Sequence, residues 1–475
     1  MRRLRMVCTC VGAALAAAWI AVIILGGPGR AADTLLARPS RGLETLESAL
    51  AATYENNPTL NAQRASVRAI DEQVPQALSG FRPQLFGSAD VGYLWSRSQT
   101  AAGTVTSNLN PRGAALTAQQ TLYNGFQTAN QLRSAESQVL AARETLRNAE
   151  QNVLLDAVTA YMNLLRDQAI VELQRQNIEA VRELLRATRD RFNVGEVTRT
   201  DVAQAEARLA SAESALSVAQ ANLNASRAAY RRVIGEDPRR MAPGRPVEHL
   251  APKSVDQAVA ASFGQHPAIA AARFGADSAQ LLVKVAEGTL LPTLALQASV
   301  QQRHDLGQGV VDQTAAQVVA RLTVPIYQGG GEFARIRAAK ETAGQRRTEV
   351  DVARDQVRAA VIQSWGLLQA SRFQVEAAQA QVRANEIALN GVREEARVGQ
   401  RTTLDVLNAQ AELVNARVAL VTAQRDRVVA SYSLLASVGR LNAAVLKLKV
   451  AIYDPATHYH QVRDAWSGVR TPDGR

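Results

Sequence analysis

The 475-residue chain could hold two or three ordinary domains, but Ala, Gln, Arg, Val and Leu dominate it and only 4% of residues are aromatic. That is the composition of long helices packed through small side chains, not of an enzyme with one large core. The formal charge of +11 is dispersed among acids, with no basic cluster interleaved by aromatics, so nucleic-acid binding is a weak reading.

The chain opens with "MRRLRMVCTCVGAALAAAWIAVIILGGPGRAA". Arg2, Arg3 and Arg5 precede an apolar run from Val11 to Leu25, and small residues follow at Gly29 to Ala32. This is the layout of an export signal over residues 1–31, and the run is short for a spanning helix, which needs about 20 residues. Cys8 and Cys10 stand before the run, where an acyl anchor is not expected, and no cysteine follows them. A disulfide framework and a thiolate metal site are therefore not expected.

A first structural repeat is expected over residues 32–238. Its opening stretch, "ALAATYENNPTLNAQR" (Ala49–Arg64), reads as helix broken near a proline. In the next segment Leu85, Ala89, Val91, Tyr93 and Trp95 alternate with Ser88, Asp90 and Gly92. Ala114, Leu116, Ala118 and Leu122 then alternate with Thr117, Gln119 and Thr121. A period of two predicts two strands, each apolar on one face. From just after Gly125 to about Arg191 the pattern is helical without a breaker, roughly 100 Å of helix. A turn, "VGEVTRTDV" (Val194–Val202), leads to a second helix from about Thr200 to Ile234. Val202, Leu209, Leu216, Leu223 and Tyr230 recur every seventh residue, and Ala205, Ala212 and Ala219 follow three places behind. Leu132, Val139, Leu146 and Val153 repeat the device, with Ala135, Ala142 and Ala149. Heptads of this kind predict close-packed coiled coils.

Residues 239–254 read as a Pro- and Gly-marked linker, after which the text is written again over residues 255–445. "AVAASFGQHPAIAAAR" (Ala258–Arg273) matches the opening stretch, and Pro292 stands where Pro83 stood. "PIYQGG" (Pro325–Gly330) matches "TLYNGF" (Thr121–Phe126), with the spacing five residues shorter. Leu294, Leu296, Ala298 and Val300 predict a third strand. Val318, Ala320, Leu322, Val324 and Ile326 predict a fourth, with Leu322 at mid-depth of its apolar face and Thr323 on the opposite one. Gly329–Gly331 is expected to bend the chain from strand to helix. Helices are expected from Glu332 to Arg397 and from Leu404 to Leu441, joined by "VGQRTTLDV" (Val398–Val406). In both turns Gly195 and Gly399 suit a left-handed helix end, and Thr198–Asp201 and Thr402–Asp405 suit capping boxes. His249, His266, His304, His458 and His460 are scattered outside any catalytic or metal-binding pattern, and His458 with His460 reads as an exposed pair in a tail over residues 446–475. No enzyme activity, metal or cofactor is expected.

Four amphipathic strands of about ten residues suit a membrane crossing but cannot close a barrel, because the smallest membrane barrels have eight. Several copies must pool their strands. Three would supply twelve, and two or four remain open at this point. The fold class is mainly α with a β-barrel part.

"NNPTL" with "QHPAI", "LYNGF" with "IYQGG", the two "VG…T…DV" turns and "LLASVGRLN" (Leu434–Asn442) together resemble the TolC family of outer-membrane channel-tunnels. The resemblance covers nearly all of the chain after the export signal. It implies a homotrimer: a twelve-stranded barrel in outer-membrane lipid, continued into the periplasm by helices. It also implies a role as exit duct for an inner-membrane transporter with a periplasmic adaptor. "YDPATHYHQVRDAWSG" (Tyr453–Gly468) is similar to the tail of members serving type I secretion. By the same resemblance, the turns at Val194, Gly195 and Thr198 and at Val398, Gly399 and Thr402 are adaptor-docking tips. Asp405 is similar to an acid lining the closed periplasmic entrance, and Asp201 and Arg401 to partners in links between neighbouring coils. A second acid of the family's gate is Asn408 here, and an aromatic that supports the link is Ala396. The rival readings, a periplasmic coiled-coil adaptor or a soluble helical scaffold, would lack lipid-facing strands.

Overall fold

The computed structural model describes residues 43–101, 103–307 and 310–474, so the expected export signal with Cys8 and Cys10 lies outside the described residues. The first half holds α1 (Leu46–Asn56), α2 (Pro58–Asp71), α3 (Gln73–Leu78), β1 (Gln84–Val91), β2 (Leu94–Thr100), β3 (Gly103–Leu109), β4 (Arg112–Asn124), α4 (Gln127–Asn193) and α5 (Arg199–Ile234). The second holds α6 (Val255–Gln265), α7 (Pro267–Glu287), β5 (Thr293–Gly307), β6 (Val310–Thr323), α8 (Gly331–Arg397) and α9 (Thr403–Val438), followed by α10 (Pro455–Val462). The duplication is kept to the residue: α4 and α8 are each 67 residues long, and α5 and α9 are each 36.

Capping chemistry sets the opening of both halves. Asn57 Oδ1 accepts from the amides of Thr59 and Leu60 at 2.9 and 3.2 Å, with Pro58 at the first position of α2. At the matching position His266 Nδ1 accepts from Ala268 N at 3.2 Å, ahead of Pro267. An acceptor nitrogen must be unprotonated, and burial does hold the His266 pKa below its ordinary value. This histidine is a helix cap.

The heptads act as expected. Ala205, Ala212 and Ala219 are buried against α4, and Ala416 and Ala423 against α8, while the leucines between them fill the gaps. Midway along, Tyr161 and Tyr230 are fully buried in a cluster with Leu50, Leu154 and Leu435. The Tyr161 hydroxyl shares its one proton between the carbonyls of Glu44 and Ala242, at 2.8 and 2.6 Å, and Tyr230 donates to the Glu44 carboxylate. The expected linker is thus packed structure. Within it Glu248 accepts from Arg427 Nε at 2.8 Å and Arg372 Nη2 at 2.8 Å, clamping α9 to α8. Arg427 and Arg372 hold the Glu248 carboxyl below its ordinary value.

Strands β1, β4, β5 and β6 form one antiparallel sheet in the order β1-β4-β5-β6. Leu85, Ala118, Ala298 and Val318 lie in one row across it, and Leu116, Val300 and Ala316 in the next row on the same face. The other face carries Gln84, Gln119 and Gln297 with Val319, then Thr117, Ser299 and Gln317 with Phe86. Apolar residues thus fill one face and polar residues prevail on the other, and among the described residues the sheet ends in two unpaired edges, β1 and β6.

Four expectations need correction. The first strand stops at Val91 instead of running through Trp95. Pro111 has no amide to return, and the Asn110 amide is taken by the Asp305 carboxylate at 2.5 Å, so the ladder lapses for two positions. Pairing then resumes in unchanged register as the separate hairpin β2–β3, with Leu94 opposite Leu109. The fourth strand ends at Thr323, short of Val324 and Ile326, and Leu322 lies at its end, not mid-depth. Val318 is the residue nearer the middle. The last long helix ends at Val438, because Gly439 takes φ +90° and stops it before Leu441. Finally, His458 is buried and bonded to Asp71 at 3.1 Å, not exposed beside His460. Gly329 and Gly330, at φ +74° and +83°, do turn the chain into α8.

Candidate functional site at the hairpin tips

Each long hairpin ends in a turn built from two adjoining motifs. At the first, Glu196 N donates to Arg191 O at 2.9 Å and Gly195 N to Phe192 O at 3.0 Å, with Gly195 at φ +82°. At the second, Gln400 N donates to Glu395 O at 2.9 Å and Gly399 N to Ala396 O at 3.3 Å, with Gly399 at φ +80°. This paired bonding closes a helix through a left-handed residue, where glycine avoids the Cβ penalty. Three residues on, Thr198 N donates to Asp201 Oδ2 at 2.9 Å and Asp201 N to Thr198 Oγ1 at 3.3 Å. Thr402 and Asp405 repeat the exchange at 2.9 and 3.2 Å. Both capping boxes form as expected.

These bonds set the electrostatics. The Asp201 carboxyl is held below its ordinary value chiefly by the Thr198 hydroxyl, then by the Thr198 amide. Asp405 is held down chiefly by the Thr402 amide, then by the Thr402 hydroxyl, with Arg401 adding charge attraction. Both aspartates are therefore helix caps within the chain, whatever else they do. Arg401 does not reach Asp201 within one chain; its Nε donates to Glu395 Oε2 at 2.9 Å. Glu395 was not singled out in the sequence, although its spacing of six from Arg401 across a glycine turn is visible there. Asn408 does not stand idle where a second acid was expected. Its Oδ1 accepts from Arg208 Nη2 at 2.8 Å and ties the two hairpins together. No sequence signal pairs Arg208 with Asn408, since the contact depends on how separate helices pack.

The hairpins also touch through apolar residues. Leu407 joins Val181, Leu185 and Ala205 in one cluster, and Leu184 meets Val406 and Ala396 in another. Between them a cleft of about 510 Å³ opens, lined by Leu184, Thr188 and Val406 with Arg191, Arg393 and Arg397 at its rim. At the extremity Val194 and Val398 are 72% and 71% exposed, an apolar residue on each tip with nothing covering it in one chain.

The family profile for outer membrane efflux proteins matches residues 49–236 and 260–440, within both repeats. Outer membrane efflux protein BepC of Brucella suis biovar 1 (strain 1330) is 45% identical over 462 residues, which is 96% of this chain and 97% of that protein. Outer membrane protein TolC of Escherichia coli (strain K12) is 26% identical over 85% of this chain and 84% of its own length. Among solved structures, the Campylobacter jejuni CmeC outer membrane channel superposes with a TM-score of 0.77 at 18% identity, over 88% of this chain and 89% of its own, a likeness of fold. The chain therefore belongs to the outer membrane efflux protein family, the TolC-like channel-tunnels, and serves in the outer membrane, with its helices in the periplasm, as the exit duct of an efflux or secretion system.

Proposed function

We propose that three copies pool their strands into one lipid-embedded twelve-stranded barrel, and that the hairpin tips form its periplasmic gate and docking surface. The matched apolar rows carry the first part of this reading. Leu85, Ala118, Ala298 and Val318 would face lipid, the glutamine row would face water, and the free edges β1 and β6 would pair between copies. In the gate, Asp405 lines the entrance in three copies. Arg401 leaves Glu395 to reach Asp201 of a neighbouring copy when shut, and the Arg208–Asn408 bond holds the two hairpins of one copy as a unit.

For docking, the exposed Val194 and Val398 on turns fixed by Gly195, Thr198, Gly399 and Thr402 offer a rigid apolar contact to an adaptor linked to an inner-membrane transporter. The test is Val194→Asp with Val398→Asp. The trimer and its conductance in planar bilayers should persist while export in cells is lost. Wild-type export by the double variant would remove the tips from docking.

A further inference from the structure

The polar face of the regularly paired sheet carries three charged side chains: Asp90, Arg303 and Arg321. Arg303 and Asp90 neutralise each other, Nη2 to Oδ1 at 3.4 Å, toward the outer end of the strands. Arg321 is two residues from the periplasmic end of β6, in a row with Ala295 and Thr121. Among the described residues its side chain makes no hydrogen bond or ion pair, and its neighbours along the strand on the same face are Val319 and Thr323. Arg303 stands eight positions along β5 from Ala295, about 26 Å at 3.3 Å per residue, some three Debye lengths at physiological salt.

We propose that Arg321, repeated around the axis at the base of the barrel, forms an anion-attracting station that acts on the carboxylate, phosphate or sulfate groups of passing cargo. The inference rests on the trimeric duct proposed above. Closure does not neutralise the site. The strand that β6 would meet in the next copy is β1, whose one charged residue, Asp90, lies near its opposite end. The acids at the top of the adjoining helices are also occupied or withdrawn: Glu287 is held by Lys340 at 3.1 Å, and Glu332 is buried.

Twelve strands 4.8 Å apart and tilted by about 40° enclose a cylinder roughly 24 Å across between backbones. An inward-pointing arginine then brings its charge within about one Debye length (~8 Å) of the axis. Three such charges at that distance enrich a monovalent anion on the axis by about two- to threefold in 0.15 M salt, taking water's dielectric constant. A multivalent anion is enriched by a power of that factor, so the station should discriminate most strongly among highly charged species.

The experiment compares Arg321→Gln and Arg321→Lys with the unsubstituted residue, as detergent-purified trimers in planar bilayers. All three carry Asp405→Asn, so that tip carboxylates do not mask the barrel. Reversal potentials in a potassium chloride gradient give the chloride-to-potassium permeability ratio, and hexacyanoferrate(III) added at the outer side gives block. Arg321→Gln should lower the ratio at least about twofold and weaken the block about tenfold, while Arg321→Lys should behave as wild type. Conducting trimers whose ratio and block are the same with Gln as with Arg would overturn the assignment. So would a Lys variant that behaves like Gln, since the role would then not be charge. Trimers that never conduct, in wild type and variants alike, would count against the duct itself, and the two failures are distinguishable.

Discussion

Gly235 and Gly439 end equivalent helices in the two repeats, at φ +87° and +90°, yet alanine should not be equivalent at the two sites. At Gly235 an added Cβ would meet only Asn56 Cβ, at 3.6 Å, an ordinary contact. At Gly439 it would fall 2.7 Å from His266 Cα and 2.9 Å from Gln265 O, both backbone atoms of the α6–α7 corner. The left-handed conformation costs a side-chain-bearing residue about 1–2 kcal/mol at either position. The collision adds overpacking of about 1–3 kcal/mol at Gly439 alone, because backbone cannot step aside as a flexible side chain can. Gly235→Ala should therefore lower the apparent melting temperature of the detergent-solubilised trimer slightly, and Gly439→Ala should lower it two to three times as far. Equal shifts for the two glycine variants would mean that backbone strain is the whole cost and that the corner yields freely.

Val318→Arg should block outer-membrane insertion at a cost of ~2–4 kcal/mol, while Leu322→Arg, near the interface, should cost ~0–1 kcal/mol and Thr323→Arg should be tolerated; outer-membrane fractionation gives the ranking, and equal behaviour would refute the depth assignment. Ala212→Leu and Ala416→Leu should each destabilise the coiled coils by roughly 1–3 kcal/mol, read as trimer melting, because both alanines are buried between helices. The tip caps should also respond to acid. The folded carboxyls of Asp201 and Asp405 lie below the ordinary value of 3.8, so the stability they contribute is present above that pH and lost as pH falls through their depressed values. Amide exchange at Thr198 and Thr402 should stay slow, after correction for intrinsic rates, down to about pH 4 and quicken below it, whereas exchange that quickens near pH 6 would point to a different group. If Arg401 and Asp201 hold neighbouring coils shut, Arg401→Ser and Asp201→Ala should each raise single-channel conductance, and the pair should add little beyond one; full additivity would make them separate restraints.

The parts written by local chemistry were legible in the sequence. Heptads placed the buried alanines, and Gly-x-x-Thr-x-x-Asp spacing placed both tips with their caps. Alternation placed the strand faces, but it could not mark where β1 leaves the ladder. Val91, Tyr93 and Trp95 keep the same parity across the lapse, which is caused by Pro111 on the partner strand and Asp305 on another. Likewise, the tail histidine looked solvated because nothing near it in sequence answers it, and its partner Asp71 lies 387 positions away. The Glu248 clamp and the Arg208–Asn408 bond escaped for the same reason, each being a product of packing between distant helices.

The lapse at Pro111 has a consequence for symmetry. Measured from the row that contains Val91, Arg112 and His304, the last pair of the first hairpin is Thr100 with Gly103, whereas the last pair of the second is Gly307 with Val310. That is a difference of about six residues, roughly 20 Å along the strand. The periplasmic ends of the two repeats, by contrast, match in helix length and turn type. Around a threefold axis the inner mouth would thus present six near-equivalent fingers at 60° intervals, while the outer mouth would alternate three tall and three low crenellations. A sixfold collar could seat evenly on the inner end. Any ligand arriving from outside the cell would meet an object with only threefold order, its first contact being the β2–β3 hairpin.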